Sequence, residues 1–510
     1  MTRALLLAAA FGALAALGQA PWALWPLTLL ALAGLSLLLT RATTARRGFA
    51  LGWVAGTAHF AVALHWIIEP FLVDAAVTGW MAPFALGLMA AGLALFWGGA
   101  AALAWAASGR AVPRIWLFSL LMLGAEALRG ILFTGFPWAL SGHVWIGTPL
   151  DQLAALGGAL LLSALTLGLA AALATAALRA TQRHHARAAT ALALAALALA
   201  SGWGWGLARL AQPAPQAPGT TLRLVQANVP QADKWRPDLI EGFFLRHLDL
   251  STGAPVDLVI WPETAVPFFL DRPGDGLTMA AEAAQAPLVM GIQRRHTDVS
   301  GVRHYFNSLV LLDRAAQVQA IYDKHHLVPF GEYIPLLGPW AAAQGLGGLA
   351  AQALSGYTPG PGPALLNLGP AGIALPLICY EAVFPRNLLS ATRPDWVLQI
   401  TNDAWFGSDS GPWQHLAQAR LRAVETGLPL VRAANTGVSA VIDARGRLTA
   451  SLGLNQTGAL NAALPGARPA TPYARMGDTP WHLALTLAAL GALLAARRRR
   501  KAIDAAPATR

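Results

Sequence analysis

"GIALPLICYEAVFP" occupies Gly372–Pro385, and its reading decides the fold of the outer part of the chain. From Ile373 to Cys379 the run is apolar without alternation. It is too short for a membrane helix and fits a strand covered on both faces. The run stops at Cys379, the one cysteine among 510 residues, and Tyr380 and Glu381 follow it. A thiol there is either a small core hydrophobe or a nucleophile set where a sheet meets its loops. The residues that end the neighbouring strands decide between the two.

Working outward, further short runs read as strands at Thr221–Asn228, Val256–Trp261, Pro287–Ile292, Ser308–Leu312 and Trp396–Thr401. Helical stretches at Leu239–Leu250, Thr278–Ala284 and Trp413–Glu425 separate them. Such alternation predicts one layered α/β domain over residues 210–478. "VDLVIWPETAVPF" (Val256–Phe268) ends its apolar part just before Glu263, and "IYDKHHLVPFGEYIP" (Ile321–Pro335) sets Lys324 after a short β run, with Glu332 further on. A thiol, a carboxylate and an ammonium form a set for covalent catalysis. At neutral pH a cysteine is only a few per cent thiolate and needs a base. Burial beside Trp261 and Pro262 is expected to raise the carboxylate, and a nearby lysine to lower the thiol. The same lysine, with the backbone N–H of Tyr380, would stabilise an oxyanion.

The rest of the chain has a different character. Hydrophobic residues make up 55% and charged residues 12%, with a mean hydropathy of +0.49, which is the composition of a multi-spanning membrane protein. A bilayer core of about 30 Å takes about 20 apolar residues per helix. Spans are predicted at 4–19, 22–40, 48–68, 79–108, 114–132, 153–178, 188–208 and 481–496. The first is read as a span and not a cleaved leader, because Pro21 follows the small-residue site at Gly18–Ala20. The predicted domains are 1–209 (seven helices), 210–478, and 479–510 (the eighth helix and a basic tail).

Basic residues orient these spans. Arg41, Arg46 and Arg47 follow the second, Arg110 and Arg114 precede the fifth, Arg179, Arg183 and Arg187 follow the sixth, and Arg497–Lys501 follow the eighth. The loops at 69–78 and 133–152 contain no lysine or arginine. By the positive-inside rule the termini are cytoplasmic and residues 210–478 lie on the periplasmic side of a bacterial inner membrane. A lone thiol in that oxidising space escapes intramolecular pairing. The net charge of +11 is thus a topology signal, and no nucleic-acid partner is expected. No internal repeat, GxGxxG, phosphate loop or HExxH occurs. The pairs His184–His185 and His325–His326 lack partners at metal spacing, so neither metal nor cofactor is expected.

Glu263 in "WPE", Lys324 in "YDKHHLVPFGEY" and Cys379 in "CYE", in that order, resemble the carbon-nitrogen hydrolase (nitrilase) superfamily. Seven spans before that domain and one after resemble its membrane-bound branch, the apolipoprotein N-acyltransferases. "TGFPW" (Thr134–Trp138), "QANVPQADKW" (Gln226–Trp235) and "TNDAWFG" (Thr401–Gly407) are similar to the same branch. The resemblance implies an αββα sandwich outside the membrane and a ping-pong acyl transfer through a thioester on Cys379. The expected donor is a phospholipid, phosphatidylethanolamine first. The expected acceptor is the amino terminus of a diacylglyceryl-cysteine apolipoprotein. Glu263 would be base and then acid, Lys324 the oxyanion partner and Glu332 a supporting group, with Trp235, Tyr380 and Glu381 shaping the site.

Several residues admit two readings. Glu381 either orients the site or bonds a loop. Trp235 and Trp405 are either lipid-handling or ordinary interfacial aromatics. Trp340, in "PLLGPWAAAQGLGGLAAQAL" (Pro335–Leu354), is expected in a mobile cover at the lipid surface, or else in a plain surface helix. Glu126 and Arg129, one turn apart in the fifth span, form either a functional or a structural intramembrane pair. Two other functions compete. A membrane-tethered amidase would pass its acyl group to water but needs no seven-helix platform. A transporter predicts inverted repeats and broken midplane helices, and neither is seen in the sequence.

Overall fold

The computed structural model describes residues 1–335, 356–389 and 392–504. The chain forms two compact units. One comprises Met1–Ile68, Trp80–Gln212 and Thr471–Arg510; the other comprises Glu69–Gly79 and Pro213–Ala470.

Alanine- and leucine-rich helices build the first unit at Thr2–Ala16, Trp25–Thr40, Ala45–Ala63, Ala82–Ala107, Ala111–Arg129, Ala154–Thr181, His185–Ala211 and Thr479–Asp504. A helix therefore stands at each of the eight predicted positions. Among the described residues, four stretches (Ala75–Ala107, Ala111–Arg129, Pro149–Thr181 and His185–Ala211) are each long and apolar enough to cross a membrane. This is a membrane protein. Thr2–Ala16 and Trp25–Thr40 are shorter. The third stretch differs from its prediction as one span over 48–68: the helix stops at Ala63 and the chain bends by 67° into His65–Leu72. Small residues bring the helices close, as expected where packing must substitute for a hydrophobic driving force. A methyl group on Gly12 would lie 1.9 Å from the carbonyl oxygen of Ala55.

Glu126 and Arg129 hold backbone in this unit. Glu126 Oε1 accepts the N–H of Ser141 at 2.9 Å. Arg129 Nη1 donates to the carbonyls of Phe136 at 2.8 Å and Trp138 at 2.6 Å. These bonds satisfy irregular backbone around "TGFPW", where Phe133 and Thr134 have φ of 53° and 76°. Their structural reading is the one the geometry supports.

Two six-stranded sheets form the heart of the second unit. The first runs β12 (Gly458–Ala463), β1 (Thr221–Gln226), β2 (Leu258–Ile260), β3 (Leu288–Thr297), β4 (Arg303–Leu312), β5 (Val318–Asp323). The second runs β11 (Leu448–Leu452), β10 (Ser439–Ile442), β9 (Leu430–Ala434), β8 (Trp396–Thr401), β7 (Ile373–Ile378), β6 (Leu366–Asn367). Pairings β1–β2–β3 and β7–β8–β9 are parallel and the outer ones antiparallel.

The sheets face each other. Leu224, Ile260, Val289 and Leu309 of one pack with Ile378, Leu398, Ile400 and Val431 of the other. On the outer faces, Val259, Trp261 and Met290 meet Phe244 and Ala280, from helices Ile240–Ser251 and Gly276–Ala284. Leu375, Leu377 and Val397 meet Leu416 and Ala419 of helix Gly411–Thr426. Strands thus covered twice read as unbroken apolar runs, each fully buried Leu or Val worth about 1.5–3 kcal/mol. The result is the αββα sandwich expected from sequence.

Candidate active site

Three parallel strands and β5 stop at one edge of the sandwich, where open α/β sheets present their ligands. Glu263 follows β2, Lys324 follows β5, Cys379 follows β7 and Asn402 follows β8. The sequence-predicted triad comes together there. Lys324 is 1% exposed. Its Nζ lies 2.9 Å from both carboxylate oxygens of Glu332 and 3.5 Å from Glu263 Oε1. Burial alone would lower this lysine, but Glu332 and then Glu263 more than reverse that and hold it well above the ordinary range. Its ammonium is a permanent charge.

Glu263 is aimed by two donors. Asn307 Nδ2 donates to Oε1 at 2.7 Å, and the N–H of Asn402 donates to Oε2 at 2.8 Å. Asn307 also donates to Glu332 Oε1 at 3.1 Å, and the N–H of Val328 to Glu332 Oε2 at 2.8 Å. Both carboxyl groups are thereby fixed against one ammonium and bridged by Asn307.

Cys379 closes the arrangement. It has φ of 52°, a left-handed conformation that costs a non-glycine residue about 1–3 kcal/mol and marks functional turns. The charges of Glu263 and Lys324 both act on its thiol. Lys324 lowers this thiol, as expected, but other effects outweigh it. Burial pushes it well above the usual thiol range, Glu263 adds to the rise, and Lys324 offsets only part of it. The resting group is a protonated thiol. Iodoacetamide labelling of this single cysteine is accordingly expected to keep accelerating beyond about pH 9, where an ordinary thiol levels off. A plateau near neutral pH would show a preformed thiolate.

The whole chain carries this pattern into a known group. The family model for the apolipoprotein N-acyltransferase N-terminal domain matches residues 11–172, and that for carbon-nitrogen hydrolase matches residues 221–470. An apolipoprotein N-acyltransferase of Caulobacter vibrioides is 40% identical over 495 residues, covering 93% of this chain and 91% of that relative. The chain belongs to the apolipoprotein N-acyltransferase family. A Bradyrhizobium diazoefficiens member is 39% identical, with 97% and 95% covered. Among solved structures, a mutant amidase of the nitrilase superfamily from Nesterenkonia AN1 is 18% identical. It covers 54% of this chain and 99% of its own, with a TM-score of 0.37.

Within this apolipoprotein N-acyltransferase-family fold, the other predicted residues divide. Glu381 is fully buried and binds a loop on behalf of the site. Its Oε1 accepts the N–H groups of His325 at 2.8 Å and His326 at 3.1 Å. Its Oε2 accepts Tyr322 Oη at 2.9 Å and the N–H of Ile378 at 2.8 Å. It therefore ties the residues after Lys324 to the turn that carries Cys379, and resolves both of its readings into one. Burial opposes its charge, yet His325 and these backbone donors hold the carboxyl below the usual range. Tyr380 is the second residue of the 3-10 turn Cys379–Val383 and packs edge-on against His326 and Phe384. Trp235 lines a cleft with Phe243, Phe244, His247 and Glu263. Trp405 sits half-buried in the turn Asp403–Phe406. Trp340 and the stretch 336–355 lie outside the described residues.

Sequence reading missed the residues behind the nucleophile. The carbonyl of Cys379 accepts from Gln399 Nε2 at 3.2 Å and meets His415 Nε2 at 3.1 Å. His415 Nδ1 pairs with Asp403 Oδ1 at 2.9 Å, and Arg432 bonds the other Asp403 oxygen. Burial opposes the Asp403 charge, but Arg432 and His415 hold its carboxyl well below the usual range. Of these, only Asp403 stands in a quoted motif. Asn307 lies beside Ser308 where β4 passes from its polar first half to its apolar second half.

Proposed function

We propose that the chain moves an acyl chain from a phospholipid to the amino terminus of a diacylglyceryl-cysteine apolipoprotein, through a thioester on Cys379. The carrying observation is the buried Glu263–Lys324–Cys379 cluster in a chain that also holds a unit of apolar helices. Glu263 takes the thiol proton as Sγ attacks the ester carbonyl. The oxyanion is stabilised by Lys324 and the N–H of Tyr380. Collapse expels the lysophospholipid alcohol, which receives the proton from Glu263. The acceptor amine then attacks the thioester, Glu263 removes its proton, and the released sulfur recovers one. A protonated resting thiol supports general-base attack, because no thiolate waits for the donor. Glu332 and Glu381 position the cluster, while Trp235, Trp340 and Trp405 contact the lipid. Phosphatidylethanolamine is the donor we expect first.

In this reading residues 1–209 and 479–510 supply eight spans of the inner membrane, with both termini cytoplasmic, and 210–478 is the periplasmic catalytic domain. A feature independent of charge supports it. The basic-free loop Glu69–Gly79 belongs to the same compact unit as residues 213–470. A methyl group on Gly407 would lie 2.5 Å from the Glu69 carboxyl carbon. In this reading that loop and the catalytic domain lie on the same side of the membrane. In a Cys379→Ser background, a cysteine replacing Asp271 is expected to react with an impermeant maleimide outside spheroplasts, and one replacing His184 only after lysis. The reverse pattern would overturn the orientation.

The reaction itself is tested with labelled phospholipid and a diacylglyceryl peptide. Lysophospholipid and N-acylated peptide are expected in equal amounts. Free fatty acid instead of acylated peptide would make the chain a hydrolase.

A further inference from the structure

Lys234 is 7% exposed, yet among the described residues it makes no ion pair. Its Nζ donates to Thr264 Oγ1 at 2.7 Å and to the carbonyl oxygen of Glu263 at 3.4 Å, and lies 5.6 Å from the Trp235 ring centre. A buried ammonium without a carboxylate partner is costly, so its position needs a reason. The turn it holds is the one that carries Glu263. Thr264 has φ of 47°. Behind the turn runs β3, so close that a methyl group on Gly291 would lie 2.4 Å from the Pro262 carbonyl oxygen and 2.6 Å from the Glu263 Cα. Lys234 grips the same turn at Thr264 Oγ1 and the Glu263 carbonyl. The turn is held both at a glycine and at a lysine.

The charges give the second half of the reason. Glu263 and Glu332 are two buried acidic side chains facing one ammonium, Lys324. Lys234 brings a second positive charge to the Glu263 side. We propose that Lys234 is a positioning residue for the base: it clamps the Glu263–Thr264 turn and sets a positive charge on that side of the base. This rests on the reading of Glu263 as the base.

The groups around the pair behave accordingly. Facing Lys234 are Glu263 and, from helix Ile240–Ser251, His247; facing Glu263 are also Lys324, Cys379, Tyr357 and, through Asn307, Glu332. Burial pushes His247 down to about 4, so it is neutral at physiological pH. Burial lowers Lys234 to about 8, with Glu263 opposing the fall, so at neutral pH it is mainly the ammonium. Lys234 therefore carries the positive charge on this side of the base.

The test is the acid limb of the single-turnover acylation rate, measured on the full-length enzyme in nanodiscs with labelled phospholipid. Lys234→Gln keeps a donor for Thr264 but loses the charge. Its acid limb is expected to move up by about one pH unit, because the buried set now takes up a proton. Lys234→Met should show the same shift with a lower plateau, and Lys234→Arg should leave the limb in place. An unmoved limb in Lys234→Gln overturns the proposal. Where the glutamine variant does not accumulate, Thr264→Val decides: it removes the clamp and keeps the charge, so a lower plateau with an unmoved limb is required, and a shifted limb overturns the proposal. Glu263→Gln separates the premise. Acylation at the wild-type rate in that variant would remove Glu263 as the base, whatever Lys234 does.

Discussion

Glu263→Gln is expected to slow thioester formation by about 10²–10⁴-fold, the range that general-base catalysis supplies. The size follows from the resting state of the nucleophile. Burial holds the Cys379 thiol protonated, so attack requires a proton acceptor at the moment the sulfur–carbon bond forms. Glutamine preserves the outline of the side chain, and its carbonyl can still accept the N–H of Asn402. Its amide, however, would face Asn307 Nδ2 and Lys324 Nζ, which are both donors. A thermal unfolding curve measured beside the rate separates that local cost from loss of the base. Rapid-quench counting of label on the protein gives the rate. Acylation within about threefold of wild type would show that another group takes the proton, since a lost general base costs far more.

Lys324→Met is expected to slow the same step by about 10²–10³-fold, as removal of one oxyanion donor does. It also leaves Glu263 and Glu332 facing each other across a bridging Asn307, and two buried carboxylates in one site do not both stay ionised. The variant is therefore expected to be less stable as well as slower. Adding Glu332→Gln to Lys324→Met removes the repulsion. The pair of changes should recover much of the unfolding temperature and none of the rate. Recovery of the rate would reduce Lys324 to a counter-ion for two acids.

Much of this was legible in the sequence because the chemistry sits where apolar runs stop. Glu263 and Cys379 each follow a strand buried on both faces, which announces itself without alternation, while Lys324 follows the largely exposed edge strand β5 and was read from its motif. The long helices were equally plain, since alanine and leucine leave few other readings. The bend after Ala63 was not, because Leu64–Ile68 continues the apolar run while the backbone turns. Strands β9 to β12 escaped notice for a related reason. "LVRAA", "SAVI" and "GALNAA" are short and rich in alanine, which has little strand preference. Asn307 reaches Glu263, and His415 and Arg432 reach Asp403, only after folding, so no spacing connects them. The net thiol shift is a contest between desolvation and Lys324, of which only the second was read. Sequence names the lysine but does not weigh the burial.

The most direct measurement is the intact mass of the protein after incubation with phospholipid alone, followed by addition of a diacylglyceryl peptide. One acyl chain on Cys379 is predicted, released by neutral hydroxylamine as a thioester, absent in Cys379→Ala, and discharged by the peptide only when its amino terminus is free. No adduct on the wild-type protein, an adduct that persists in Cys379→Ala, or one that water clears as fast as the peptide does would contradict a thioester relay between lipid and lipoprotein.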